Sequence, residues 1–164
     1  MSDPLRLFWN SVLWLVLGGW IGASTYFALV VAPAGFRVLP AADLAGRLVD
    51  AVYTPLQLYG MGAGLVLAAL ALVLRRSRWL VVHPAVLSVL CFTSHFGITA
   101  RLDEVRDAAF GAGGAAPQAA ASAEFWRLHA ASMGIHTAVL LGAVWLLVLH
   151  LRAGLQASEN REIS

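Results

Sequence analysis

The sequence predicts an all-α membrane protein, a four-transmembrane-helix bundle with a short amphipathic helix between the first and second helices. Composition supports this first, because 60% of the 164 residues are hydrophobic and only 12% are charged, against about 25% in soluble domains. The second observation is four long stretches without Asp, Glu or Arg, at residues 7–36, 51–74, 79–100 and 128–151. Each exceeds the roughly 20 residues that a helix needs to cross a bilayer. We therefore expect a single integral membrane domain over residues 1–164, surrounded by lipid.

The four helices are expected at about residues 8–32, 53–74, 79–102 and 124–151. The first carries Gly18 and Gly22 on one face, and the second carries Gly60 and Gly64. Small residues four apart let helix backbones approach each other closely in membranes. We expect these glycines to pack helices together within the bundle.

The segment between the first two helices allows two interpretations. Pro33 and Pro40 are expected to interrupt the helix. Over residues 41–52, apolar side chains recur on one helical face while charged side chains lie elsewhere. This pattern fits a short amphipathic helix on the membrane surface and, equally well, an extension of the second transmembrane helix into water.

The third helix is expected to continue beyond the membrane, because residues 101–110 mix acidic and basic side chains. Residues 111–121 are small and uncharged, which is typical of a flexible linker. Ser122 and Glu124 favour the start of the fourth helix, since a hydroxyl can cap the first turn and a carboxylate interacts well with the helix dipole.

Arginine placement predicts the orientation of the bundle. All eleven basic residues are arginines, and six of them fall on the side that holds both termini and the second turn. Because cationic flanks resist translocation, we expect that side, with both termini, to be cytoplasmic in a bacterial inner membrane. The sequence has no basic stripe with interleaved aromatic residues, so we expect no nucleic acid partner.

Polar residues inside the third and fourth helices define the candidate site. The third helix has a stripe at steps of three or four residues, Ser88, Cys91, His95 and Thr99. On the fourth helix, His129 and His136 are seven residues apart and share nearly one face, with Ser132 between them. The two stripes are expected to face each other. With a rise of 1.5 Å per residue, His95 should lie about 9 Å deep, between His129 at about 3 Å and His136 at about 13 Å.

A polar group without a partner at this depth costs several kcal/mol, so the histidines need an explanation. Three remain open: structural hydrogen bonding, ligation of haem b or copper by His95 with either His129 or His136, and a proton or substrate path. No phosphate-binding glycine loop, HExxH or CxxC motif is present, and no intramembrane carboxylate is available to build a triad. We therefore expect that the protein is not an enzyme.

Three stretches suggest a family. The first is the glycine-rich first helix with the following segment, through Pro33, Phe36, Leu39 and the pair Ala45 and Gly46. The others are RWL after the second helix and FWRLHAAS at the start of the fourth. In these three places the chain resembles the transmembrane protein 205-like family. His129 and Ser132 match its last motif, whereas His136 stands where the family tends to have Asn. The resemblance implies a four-helix domain without an established reaction, and one member's link to platinum-drug tolerance hints at metals or xenobiotics.

The WIGA and APAGF segments are also distantly similar to copper-resistance D-type membrane domains, which use membrane histidines. That similarity implies metal ligation as one role for the histidines. The sequence as a whole favours a small-molecule or ion-binding, transport-related membrane protein with a polar histidine site between helices 3 and 4. The alternatives are a b-type haem or copper protein, and a structural subunit with membrane protein partners or a homo-oligomer.

Overall fold

The computed structural model describes residues 3–110 and 118–162, and these form helices with no strand among them. The helices are α1 (Asp3–Tyr26), α2 (Ala32–Val38), α3 (Ala42–Val73), α4 (Arg78–Thr93), α5 (Ala100–Phe110) and α6 (Ala119–Glu162). Two π-helical segments, Phe27–Val31 and Ser94–Thr99, join α1 to α2 and α4 to α5 without a break.

In the described residues these helices form four continuous spans that are long and apolar enough to cross a membrane, which confirms the predicted fold class. These spans are Asp3–Val38, Asp43–Val73, Arg78–Phe110 and Ala119–Gln156, with 31 to 38 residues each. Since about 20 residues cross the hydrocarbon, each span is long enough to project beyond it. The spans contact one another in chain order, and α6 also packs against α1, so the bundle closes.

The first connection differs from one of the two predicted structures. Pro33 does not interrupt the helix, because it follows the π-helical segment Phe27–Val31 directly, and such local adjustments accommodate proline in membrane helices. The break falls at residues 39–41, where Leu39 and Ala41 are extended. There is no separate amphipathic helix, since Ala42 to Val73 form the single helix α3. Leu44 and Leu48, on the apolar face of residues 41–52, remain exposed although α2 packs on this part of α3.

The second and third connections are short or only partly described. Residues 74–77 turn between α3 and α4, with Arg75 in the left-handed region at φ 51° and Arg76 N–H donating back to the Ala71 carbonyl, a common helix termination. Most of the predicted linker, residues 111–117, lies outside the described residues. The remainder of it, Ala119 to Ala121, is already helical in α6.

Close backbone contact occurs at only some of the predicted glycines. A Cβ on Gly64 would come within 2.6 Å of the Pro84 carbonyl, and one on Gly60 within 2.8 Å of Cys91 Sγ, so both bring α3 against α4. In contrast, a Cβ on Gly18 or Gly22 would meet no described atom within 4 Å. The prediction for those two therefore needs correction, because the packed face of α1 lies one position away, at Gly19.

The main core fills the bundle from Leu13, Leu17 and Trp20 of α1 through Leu67 of α3 to Leu146 of α6, all at most 2% exposed. Large apolar side chains such as Leu15, Leu29, Leu65 and Leu141 instead point outward and are more than 60% exposed. In a helical protein of this composition, that outer surface indicates contact with a lipid bilayer.

Candidate functional site

A buried glutamine lies at the centre of the polar site. Gln57 of α3 is 4% exposed. Its Nε2 donates to Ser94 Oγ at 2.8 Å and to Thr99 Oγ1 at 3.2 Å. Its Oε1 lies 3.3 Å from the Thr99 hydroxyl and 3.3 Å from His95 Nδ1, which donates in the tautomer that carries its proton on Nδ1. One amide thus joins the second span to three residues of the third.

The π-helical segment Ser94–Thr99 explains how one glutamine reaches these partners. Ser94 and Thr99 are five residues apart and would be separated by about 140° around an α-helix. Hydrogen bonds in a π-helix run between residues five apart, so that such residues lie on nearly the same face. The local widening therefore turns both hydroxyls toward Gln57.

A small cavity adjoins this hydrogen-bonded group, with walls from all four spans. Its polar walls are Ser24, Gln57, Ser94 and His136, with Trp20, Tyr53 and Cys91 among the others. The space open to the centre of a water-sized sphere is about 10 Å³, close to the lower limit of about 10–15 Å³ for one water. None of the lining residues is acidic or basic apart from His136.

His136 lines this cavity with one ring nitrogen unpaired, while the ring also interacts with the Ser24 backbone. It is 7% exposed and packs edge-on against Phe27 and Tyr53, with ring centroids 5.6 and 5.4 Å away. Its Nε2 is buried and has no hydrogen-bond partner among the described residues. A buried imidazole nitrogen without a partner loses several kcal/mol relative to water, which makes it the strongest indication of a ligand in the cavity.

His129 belongs to a different pocket, at the charged end of the bundle. Its ring stacks on Phe125 at 6.0 Å and meets Trp126 edge-on. We call this cavity the end pocket, and its walls are Phe36, Asp43, Gly46, Val49, Asp50, Leu102, Arg106, Phe110, Phe125, Trp126 and His129. Ser132, one turn further along α6, is buried at 4% exposed and lines neither cavity.

The three histidines therefore do not converge as the sequence suggested. His95 binds Gln57 and His136 lines the cavity beside Gln57, while His129 lies in the end pocket. The described residues contain no group of three His, Cys, Asp or Glu side chains that could hold a metal ion. The cavity at His136 also has no room for a porphyrin, because its free space is about that of one water.

The polar stripe of the third span faces mainly the second span. Ser88 donates to the Met61 carbonyl at 2.8 Å, and His95 and Thr99 bind Gln57. This differs from the predicted facing of the third and fourth helices, because α4 packs most extensively on α3, through Gly60 and Gly64. The hydrogen bonds of the site consequently join α3 to the π-helical segment.

Sequence reasoning missed Gln57, although a signal was present. It is the only side-chain amide between residues 51 and 74. A polar side chain in a membrane helix needs a hydrogen-bond partner, as a charged one does, and therefore indicates a contact between helices or a site. The contribution of Ser94 had no such signal, since it depends on the π-helical geometry.

Ion pairs surround the end pocket. Arg106, 9% exposed, pairs with Asp50 and, at 3.2 Å, with Asp103. Arg47 bonds Asp43 and Asp107 at 3.1 and 3.2 Å. Arg101 bonds Glu104 and Glu124 at 2.6 and 3.0 Å. This end of the bundle therefore carries paired charges, whereas the Gln57 site contains no carboxylate or guanidinium.

Comparison with known proteins gives one match. No curated protein and no solved structure is significantly similar to the chain. A family model described as a domain of unknown function, DUF4149, matches residues 15–111. That range includes most of the first span and all of the second and third, and with them Gln57 and its three partners. The chain belongs to this family of domains of unknown function.

Proposed function

We propose that the protein is a non-enzymatic, transport-related membrane protein that binds a water-sized species or a proton at the Gln57 site. The observation that carries the proposal is the unpaired Nε2 of His136, buried in a polar cavity beside Gln57. Neutral donors and acceptors in the middle of a bundle are costly unless they serve packing or a ligand. π-helical segments, such as the one that supplies Ser94, often occur at functional sites.

The size of the cavity limits what can bind. Space for about one water excludes a drug-sized solute without a conformational change. An imidazole is the side chain best suited to bind and release a proton near neutral pH. His136 therefore takes the proton, while His95 and Gln57 organise the neutral hydrogen bonds around it.

Several finer statements belong to the same proposal. The side with both termini and residues 75–78 carries six arginines against five at the other end, and three of the six cluster in that short turn. The positive-inside rule then places the termini in the cytoplasm, which we assign to a bacterial inner membrane. We keep the transmembrane protein 205-like family as the narrower family assignment. Whether the protein binds other membrane proteins or forms a homo-oligomer is tested by purifying it in mild detergent and identifying what remains bound.

Proton flux into proteoliposomes tests the proposal. Vesicles containing the full chain and the trapped dye pyranine are given a potassium diffusion potential, and the internal pH is followed. We expect flux above that of empty vesicles, with loss of the excess in Gln57→Leu and His136→Phe. The matched control is Gln156→Leu, which removes an exposed amide on α6. Equal flux in all variants, or none above empty vesicles, would contradict the proposal.

Copper binding is the second candidate, because His95 and His136 both border Gln57. Elemental analysis and an absorbance spectrum of one purified sample decide between the two. Near-stoichiometric copper that is lost in both His95→Ala and His136→Ala would favour the metal, whereas metal-free protein with intact proton flux would favour the first candidate.

A further inference from the structure

The end pocket is a second candidate site, separate from the Gln57 site. We propose that it binds a small organic cation, a quaternary or protonated ammonium group with apolar substituents. The free space open to a water-sized sphere is about 40 Å³, and the total reaches about 490 Å³ with the open mouth included. That is room for about three waters or for a group of similar bulk.

Aromatic rings from three spans form much of the wall. Phe36 comes from the first span, Phe110 from the third, and Phe125 and Trp126 from the fourth. The rings are held edge-to-face, with centroids 5.0 Å apart for Phe110 and Phe125 and 5.4 Å apart for Phe125 and Trp126. Clustered aromatic faces attract cations through their quadrupoles, and quaternary ammonium groups are commonly recognised in this way.

The charges of the pocket favour a cation over an anion. Its ionised groups are the carboxylates of Asp43 and Asp50 and the guanidinium of Arg106. Arg106 is engaged by Asp50 and Asp103, so little of its charge is available to a ligand. Asp43 binds Arg47 through Oδ2, while its Oδ1 is shielded from solvent and has no hydrogen-bond partner in the described part of the chain. The Asp43 carboxylate shares its charge with Arg47, but this oxygen is still open to accept a hydrogen bond from a cationic ligand.

The two sites can be tested independently, because no residue of the Gln57 site lines the end pocket. A cation at the end pocket touches Asp43 and Trp126, about two helical turns or more along the chain from Gln57 and His136. Gln57→Leu should therefore leave cation binding unchanged, whatever it does to proton flux.

Isothermal titration of the full chain in maltoside detergent measures the binding. The probes are choline and its uncharged isostere 3,3-dimethylbutan-1-ol, which share shape but differ in charge. We expect choline to bind at least about fivefold more tightly than the isostere, which corresponds to about 1 kcal/mol of cation–π and carboxylate attraction. Equal affinities, or binding of neither probe, would overturn the proposal, as would preferential binding of hexanoate.

The variants are Asp43→Asn and Trp126→Leu, each expected to weaken choline binding about fivefold. Asp107→Asn is the matched control, since Asp107 bonds the same Arg47 but does not line the pocket. Weakening by the control to the same extent would assign the effect to Arg47 and overturn the proposal. Neither Asp43 nor Trp126 is fully buried, so both variants are expected to fold.

Nanodiscs distinguish the two sources of such a cation. If a lipid headgroup occupies the pocket, phosphatidylcholine discs should weaken the binding of added choline relative to phosphatidylglycerol discs. If the natural ligand is a dissolved cation, the affinity should be the same in both. Both results support a cation site, whereas a lack of choline binding in phosphatidylglycerol discs contradicts it.

Discussion

The centre and the charged end of the bundle both bury polar side chains between helices, but they use different chemical groups. Gln57 and Asp50 lie on one helix, α3, about 10 Å apart along its axis by the helical rise. At the centre, Gln57 binds two hydroxyls and an imidazole, with no carboxylate or guanidinium among its partners. At the end, Asp50 pairs with the buried Arg106. A charge that is tolerable near water becomes too costly deeper in hydrocarbon, where neutral hydrogen bonds replace ion pairs.

The two regions also differ in what their contacts contribute. Most ion pairs at the end are exposed, with side chains of Arg47 and Arg101 about half exposed, and such pairs contribute little to stability. Arg106 is the exception, because removal of its partner leaves a buried charge. At the centre each lost bond leaves a buried polar group unsatisfied, which costs more than the loss of an exposed ion pair.

The largest effect is expected for Asp50→Ala. It leaves the Arg106 guanidinium buried without its closest partner, which should lower the free energy of unfolding by about 3 kcal/mol. Unfolding by SDS in mixed micelles measures this. The double variant Asp50→Leu/Arg106→Met should recover most of the loss, since it removes both charges. If the single variant is as stable as the parent, the ion pair between Asp50 and Arg106 does not contribute to the free energy of unfolding, which would contradict the prediction.

A smaller loss is expected for Gln57→Leu. Glutamine and leucine are similar in size, so the substitution mainly removes hydrogen bonds. The hydroxyls of Ser94 and Thr99 lose their partner, and the free energy of unfolding should fall by about 2 kcal/mol. The same SDS titration applies, with Gln156→Leu as the control that should change little. Comparable losses in both variants would show that the central hydrogen bonds do not stabilise the fold.

His136→Phe should be close to neutral for stability while it removes function. The new ring keeps the edge contacts with Phe27 and Tyr53, and it removes a buried nitrogen without a partner, so the expected change lies within about 1 kcal/mol of zero. Thermal unfolding combined with proton flux separates the two effects. A loss as large as that of Gln57→Leu would indicate that the imidazole is a structural hydrogen-bonding group.

The smallest effect is expected for Arg101→Gln. Its pairs with Glu104 and Glu124 are on the surface, where solvent and salt screen them. We expect no measurable shift of the melting temperature in 0.15 M salt. A clear loss would mean that the charged end is more tightly coupled than its exposure indicates.

The sequence predicted the site only in part, and the reasons are local. His95 and Thr99 were identified because their spacing fits an α-helix, and both bind Gln57. Ser94 was missed because a π-helical segment rotates it onto that face. His129 was placed with the other histidines because residues seven apart share a face, yet the bundle is long enough for them to lie in separate cavities.

The sequence by itself determined the membrane class and the four spans, because the cost of burying polar backbone in lipid leaves few alternatives to long apolar helices. It also determined that the histidines needed polar surroundings. Only the tertiary structure decided which helices share those surroundings. The close approach of α3 and α4 at Gly60 and Gly64 brought Gln57 against Ser94 and Thr99, and such a contact depends on which helix faces meet rather than on the periodicity of either one.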